Sequence, residues 1–174
     1  MSADATRIPL PDPEQLPPDV AQLLALASDP DGTPLLTVAA LANHPPLLAP
    51  FLGWAAALAL QGALTKRDHE LLALRTAHLW QSQFEWDEHS RYAADAGLRA
   101  DEIERVRAGA AAEGWSPHDA ALLRAADELH DDGRIGDGTL AAVAAEHSPA
   151  ALVEILYVVG QYTMLSMVAN TLLP

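Results

Sequence analysis

Apolar positions along the chain recur at helical intervals, and residues that start and stop helices punctuate them. Pro17 and Pro18 open a first helix to about Ser28, where Asp-Pro-Asp-Gly breaks it. Thr33 with Pro34 begins a second, closed by Asn-His-Pro-Pro at 43–46. Residues 46–61 predict a third, kinked at Pro50 and ended by Gly62. Thr65 with Asp68 is a capping-box pattern for a central segment that keeps its helical period until Ala96 and Gly97. Ser116, Pro117 and Asp119 repeat the device for a helix to about Asp131, stopped by Gly133, and Ser148 with Pro149 starts the last. No segment alternates with period two, and no internal repeat is found. The pattern predicts an all-α protein of about seven helices. A Pro-stiffened, extended lead-in over residues 1–16 precedes a single domain over 17–174.

Composition agrees. The 174 residues suffice for one compact domain with a real core. Ala and Leu dominate the apolar half while β-branched and aromatic residues are scarce, which favours helix over strand. The formal net charge is -14, with Lys66 the single lysine. The electrostatic attraction that nucleic acid or an anionic membrane needs is therefore absent, and both are excluded as partners. The lack of cysteine removes disulfides, thiolate metal sites and thiol redox chemistry. The first residues carry no basic stretch followed by an apolar run, so no signal peptide is read and a cytoplasmic protein is expected. The apolar stretch from Pro149 to Leu173 is long enough to span a bilayer, but it contains Glu154, Gln161 and Asn170. A buried helix of a soluble bundle, or an oligomer contact, is the expectation.

Chemistry concentrates in the central segment. On one unbroken helix at about 100° per residue, Glu70, Leu71, Leu74, Arg75, His78, Gln81, Ser82, Glu85, His89 and Tyr92 fall within one sector of about 140°. His78, Ser82, Glu85 and His89 form a polar line at the neighbour spacings of a helix surface. The line lacks lysine and interleaves with Leu71, Leu74 and Tyr92, so it should face an interior or a cleft. Buried polar groups must be paired, because an unpaired one costs about 1–3 kcal/mol. Two readings satisfy this: a site that binds a ligand, or a structural hydrogen-bond network supporting an oligomer interface.

The segment Arg-Asp-His-Glu at 67–70 through Asp-Glu-Ile at 101–103 resembles the core of the carboxymuconolactone decarboxylase and alkylhydroperoxidase D superfamily. Its peroxidase branch has Glu, eleven residues, Cys, two residues, Cys, three residues, His; here that spacing lands on Glu70, Ser82, Glu85 and His89. Both outer positions match and both cysteines are replaced. Gly97 to Ile103, the Asn-His-Pro-Pro-Leu-Leu stretch upstream and Ala121 to His130 extend the likeness over about residues 35–170. The resemblance implies an all-helical fold assembled into trimers or hexamers, a site near subunit contacts, and a helix break just ahead of Ser82. It also removes peroxidase activity, because Ser82 and Glu85 can replace neither thiol.

Glu85 and His89 sit one turn apart, close enough for a carboxylate to hold an imidazole in one tautomer. By analogy with the decarboxylase branch, which uses no cofactor, His89 is expected to donate a proton, with Glu85 as its orienter and Glu70 as a second carboxylate. Arg75 either pairs with a substrate carboxylate or holds Glu70 or Asp68. Ser82, His78, Trp86 and Tyr92 are further substrate-binding candidates, with Trp80 and Trp54 as apolar walls. His44, His69, His118, His130 and His147 read as surface or helix-terminal residues outside the chemistry. The expected reaction is a decarboxylation or a proton shift beside a carbonyl. The acidic balance favours a small, neutral or singly charged, partly aromatic substrate over carboxymuconolactone itself. Two alternatives stay open: a non-catalytic oligomeric scaffold or small-molecule binder, and a metal held by Glu85 and His89 with His78 or Glu70.

Overall fold

A computed structural model describes residues 6–28 and 32–172. Among them are nine α-helices and no strand, with one isolated bridge between Ser28 and Pro34. The described residues divide into two compact units: those up to residue 61 together with 168–172, and residues 62–167.

The first unit holds α1 (Pro18–Leu26), α2 (Leu36–Leu41) and α3 (Pro45–Gln61). Its core is Val20 and Leu24 of α1 with Val38, Ala39, Ala42 and the fully buried Leu48. Helix α3 continues through Pro50. Of the lead-in, residues 1–5 lie outside the described residues; the rest contains a 3-10 turn at Pro13–Gln15, where Asp12 accepts the Glu14 N–H at 3.0 Å. Of the Asp-Pro-Asp-Gly breaker, 29–31 lie outside the described residues; Gly32 has φ 86°.

The second unit contains α4 (Lys66–Leu79), α5 (Gln83–Asp95), α6 (Ala100–Val106), α7 (Pro117–Asp132), α8 (Asp137–Ala144) and α9 (Pro149–Leu172) up to Met167. Helix α4 is its axis and packs chiefly against α5 and α7. Every residue from Asp68 to Leu74 is buried, so polar residues here must find partners inside the protein. Leu71, Leu72 and Leu74 are completely enclosed, as are Leu122 and Leu123 of α7 and Ile155 and Val158 of α9. Each such side chain contributes about 1.5–3 kcal/mol by leaving water.

The predicted caps form, but only by half. Thr65 Oγ1 accepts the Asp68 N–H at 3.1 Å, and Ser116 Oγ accepts the Asp119 N–H at 3.0 Å. The two aspartates do not return the bond; Asp119 pairs with Arg67 at 3.1 Å, beside Glu102 at 2.9 Å. Gly133 ends α7 in the left-handed conformation, φ 69°. Glu154, the acidic residue in the apolar helix, is buried, and its Oε2 accepts the N–H groups of Ala63 and Leu64 at the entrance to α4. By length and composition alone α9 could cross a membrane.

The central segment is two helices, as the resemblance implies and the unbroken wheel does not. Gln81 takes φ 53°, the left-handed region, without being glycine. The N–H of Gln81 bonds His78 O at 3.0 Å and that of Ser82 bonds Ala77 O at 2.9 Å, the paired bonds of a Schellman terminus. Ser82 then caps α5. Helices α6 and α8, seven and eight residues long, are the short elements that the apolar pattern does not resolve.

Candidate functional site

The break folds α5 back beside α4, so Glu70 and His89, nineteen residues apart, meet through a hydrogen bond of 2.7 Å between Glu70 Oε2 and His89 Nδ1. With Nδ1–H donated to a carboxylate, Nε2 is the ring nitrogen left for chemistry. It faces Glu85 Oε2 at 3.8 Å, outside hydrogen-bond range. The expected roles of the two carboxylates are thus exchanged: Glu70, not Glu85, orients the imidazole. The reason is the break, which turns Glu70 toward α5.

Glu85 has the more unusual environment. Its side chain is 4% exposed. Burial disfavours the carboxylate, His89 opposes that and Glu88 reinforces it, and the pKa is pushed up to about 7.

Helix α9 closes the site with a residue that the sequence pattern did not single out. Tyr162 lies edge-on to His89 with ring centroids 4.4 Å apart, and its hydroxyl is 2.8 Å from His69 Nε2. Burial, then the charges of Glu70 and Glu85, hold the phenol well above its ordinary pKa, so it stays protonated. Burial also lowers the pKa of His69, and the bond is best satisfied by the phenol donating to a neutral imidazole. His69 is therefore a buried member of the network rather than a surface residue. A tyrosine next to Gln161 inside an apolar helix was the available signal, since a buried hydroxyl calls for a partner.

Other candidates fall elsewhere. Tyr92 does stand against His89, at 5.5 Å, and at 41% exposure marks the solvent side. Ser82 is 1% exposed and its hydroxyl accepts the Glu85 N–H at 3.5 Å, so it is a helix joint rather than a substrate contact. Arg75 holds neither a free cleft nor Glu70 or Asp68. It pairs with Asp127 of α7 and donates from Nη1 to Val106 O and Arg107 O at 2.9 and 3.0 Å. Trp86 is buried between His78, at 6.1 Å, and the Arg107 guanidinium, 3.6 Å over its ring, which makes it core rather than wall. His78 is half-buried, its pKa lowered by burial and by Arg75 and Arg107; among the described residues no hydrogen bond or ring contact joins it to His89. Trp54 belongs to the first unit, and Trp80 donates to Thr163 Oγ1 at 3.1 Å. A metal on Glu85 and His89 with Glu70 meets a geometric obstacle: the carboxylates address opposite ring nitrogens and cannot converge on one ion. His118 and His147, set aside in the sequence, instead converge on Asp68.

The carboxymuconolactone decarboxylase family model matches residues 45–128, a span that includes Glu70, Glu85 and His89. Over that span, just under half of the 174 residues, the chain is similar to this family. Two solved structures of similar fold are peroxidase-related proteins. The AhpD-core protein of Ralstonia eutropha JMP134 is 20% identical with TM-score 0.84, covering 97% of this chain and 90% of its own. That of Silicibacter sp. TM1040 is 16% identical with TM-score 0.82, covering 96% and 89%. A protein of unknown function from Agrobacterium tumefaciens, described as an AhpD-type antioxidant defence protein, is 18% identical with TM-score 0.65, covering 75% and 90%. No curated protein matches the chain in sequence. At these identities the likeness speaks for the fold alone. The cysteine pair of the superfamily's peroxidase branch has no counterpart among the 174 residues.

Proposed function

We propose that the protein is a cofactor-independent acid–base enzyme acting on a small, partly apolar carbonyl or lactone compound, by decarboxylation or by a proton shift beside the carbonyl. The observation that carries this reading is a buried carboxyl with a pKa of about 7, Glu85, set 3.8 Å from an imidazole that Glu70 holds in one orientation. A group titrating near the working pH is at its best as a proton carrier, and such a group contributes about 10²- to 10⁴-fold. In the proton shift, Glu85 as carboxylate removes the proton next to the carbonyl. The electron pair moves onto the carbonyl oxygen, and the resulting acid returns the proton at the new carbon. In the decarboxylation, the carbon–carbon bond to the carboxylate breaks, CO2 leaves, and Glu85 as acid protonates the extended enolate. His89 Nε2, positive when protonated, steadies the negative charge in either case.

The test needs no named substrate. A panel of small keto acids and unsaturated lactones is incubated in D2O, and carbon-bound deuterium and released CO2 are followed by NMR. At least one compound should exchange or decarboxylate well above buffer, with Glu85→Gln and His89→Gln each lowering the rate 10²-fold or more. If no compound reacts, while both variants only shift the melting point, the site is a structural network and the protein a scaffold or small-molecule binder.

The working form is further read as a homo-oligomer, a trimer or hexamer. Val153, Leu156, Tyr157, Met164 and Met167 make an exposed apolar stripe on α9, between 45% and 54% exposed. A second copy would remove that surface from water.

A further inference from the structure

A separate polar cluster lies at the first turn of α4. Asp68 is 4% exposed, and its two carboxylate oxygens address two imidazoles. Oδ1 is 2.8 Å from His118 Nε2, and Oδ2 is 3.8 Å from His147 Nε2. The two rings stack with centroids 4.9 Å apart and 19° between their planes. One ligand atom from each of the three residues lies within 4.8 Å of the others.

His147 decides what the cluster is for. Its side chain is 7% exposed, and Nδ1 lies 3.0 Å from the Val143 carbonyl oxygen, which can only accept. In a neutral ring that contact places the proton on Nδ1 and leaves Nε2 with a lone pair. That nitrogen is buried with no hydrogen-bond partner and points at a carboxylate oxygen. A lone pair facing an anion is unfavourable unless positive charge lies between them, and 3.8 Å is too long for an N–H to bridge well. It is close to the separation of two ligands on one ion. A tetrahedral cation with bonds of about 2.0–2.2 Å holds its ligand atoms about 3.3 Å apart, and the two spacings to Asp68 bracket that value.

We infer that Asp68, His118 and His147 form a binding site for a divalent transition cation of zinc's class. Two imidazoles and one carboxylate suit such an ion better than calcium or magnesium, which take oxygen ligands. The outer contacts match as well. Metal-bound histidines anchor their other ring nitrogen on a carbonyl or carboxylate; here His147 uses Val143 O, and His118 Nδ1 lies 3.4 Å from Glu146 Oε2. On binding, the proton between His118 Nε2 and Asp68 leaves to solvent and the ion takes its place. A position remains for water, reached beside the His118 side chain, which is 25% exposed. The ion joins the first turns of α4 and α7 to the segment before α9.

The experiment strips the purified protein with a chelator, desalts it, and titrates zinc by calorimetry and thermal melting, with cobalt(II) as a visible probe. The expected result is one zinc per chain, a melting point several degrees higher, and a cobalt absorption of low-symmetry type. His147→Ala and His118→Ala should lose all three, while His44→Ala, in the first unit, should keep them. Circular dichroism establishes which variants fold, and the more exposed His118 site supplies the readout if His147→Ala does not. Absence of saturable binding near one equivalent overturns the site, as does full binding in a folded His118→Ala or His147→Ala.

Discussion

Glu85 stores a conflict between stability and use. Its folded pKa of about 7 stands above the ordinary value of 4.5, so between those two pH values the folded protein keeps a proton that the unfolded chain releases. Stability from this residue is complete below 4.5, declines as pH rises to 7, and levels off above, a loss of about 3 kcal/mol at most. Glu85→Gln, which cannot ionise, should therefore be more stable than the parent at pH 8 and gain little at pH 4.5, measured by urea unfolding across pH. An equal difference at both pH values would contradict the buried-acid reading. Glu70 predicts a different order. Glu70→Ala leaves the buried His89 Nδ1–H without its acceptor and should cost about 1–3 kcal/mol, whereas Glu70→Gln keeps an oxygen there and should cost less. Under the proposed chemistry both lose activity, so the split between stability and rate separates an orienting role from a merely structural one.

Between residue and molecule stands the joint at Trp80, Gln81 and Ser82. A residue with a Cβ in the left-handed region carries about 1–2 kcal/mol of strain, and glycine there would relieve it while loosening the unfolded chain by about 0.5–1 kcal/mol. Gln81→Gly should thus leave the melting point equal or slightly higher. Gln81→Pro can adopt neither the observed φ nor the bond to His78 O, and should destabilise by about 3 kcal/mol or more. This joint also explains what was legible in the sequence. Caps at Thr65 and Ser116 and the stop at Gly133 were readable because each rests on neighbours in the chain. The break was not, because no glycine or proline marks it; only the likeness to a family pointed there. Glu70, Glu85 and His89 were legible as a group, but their pairing was not, since it depends on how α5 returns against α4. Tyr162 and His69 were missed for the same reason: their partnership spans 93 positions, and helical periodicity records only the nearest turns. His118 and His147 looked terminal in sequence and are so in structure, yet Asp68 gathers them.

At the scale of the whole molecule, charge and apolar surface oppose each other. A copy with formal charge -14 repels another, while the α9 stripe favours contact. Salt shortens the range of the repulsion, to about 8 Å at 0.15 M from about 30 Å at 0.01 M, and leaves apolar burial in place. Light scattering after size exclusion should accordingly find larger assemblies at 0.15 M than at 0.01 M. Leu156→Glu, in the middle of the stripe, should give smaller species at both without lowering helix content. A monomer at every salt concentration would remove the oligomer from the functional reading.

The joint has one more consequence, for which changes of length this chain can survive. Only Trp80, Gln81 and Ser82 lie between the two helices, and each is committed: Trp80 ends α4, Gln81 makes the left-handed turn and Ser82 opens α5. An added or deleted residue at this point has nowhere to be absorbed. It would turn α5 by about 100° about its axis and carry His89 away from Glu70. The nineteen-residue interval between that pair therefore works as a ruler, and relatives that use the same pair should vary in the letters inside it far more readily than in their number.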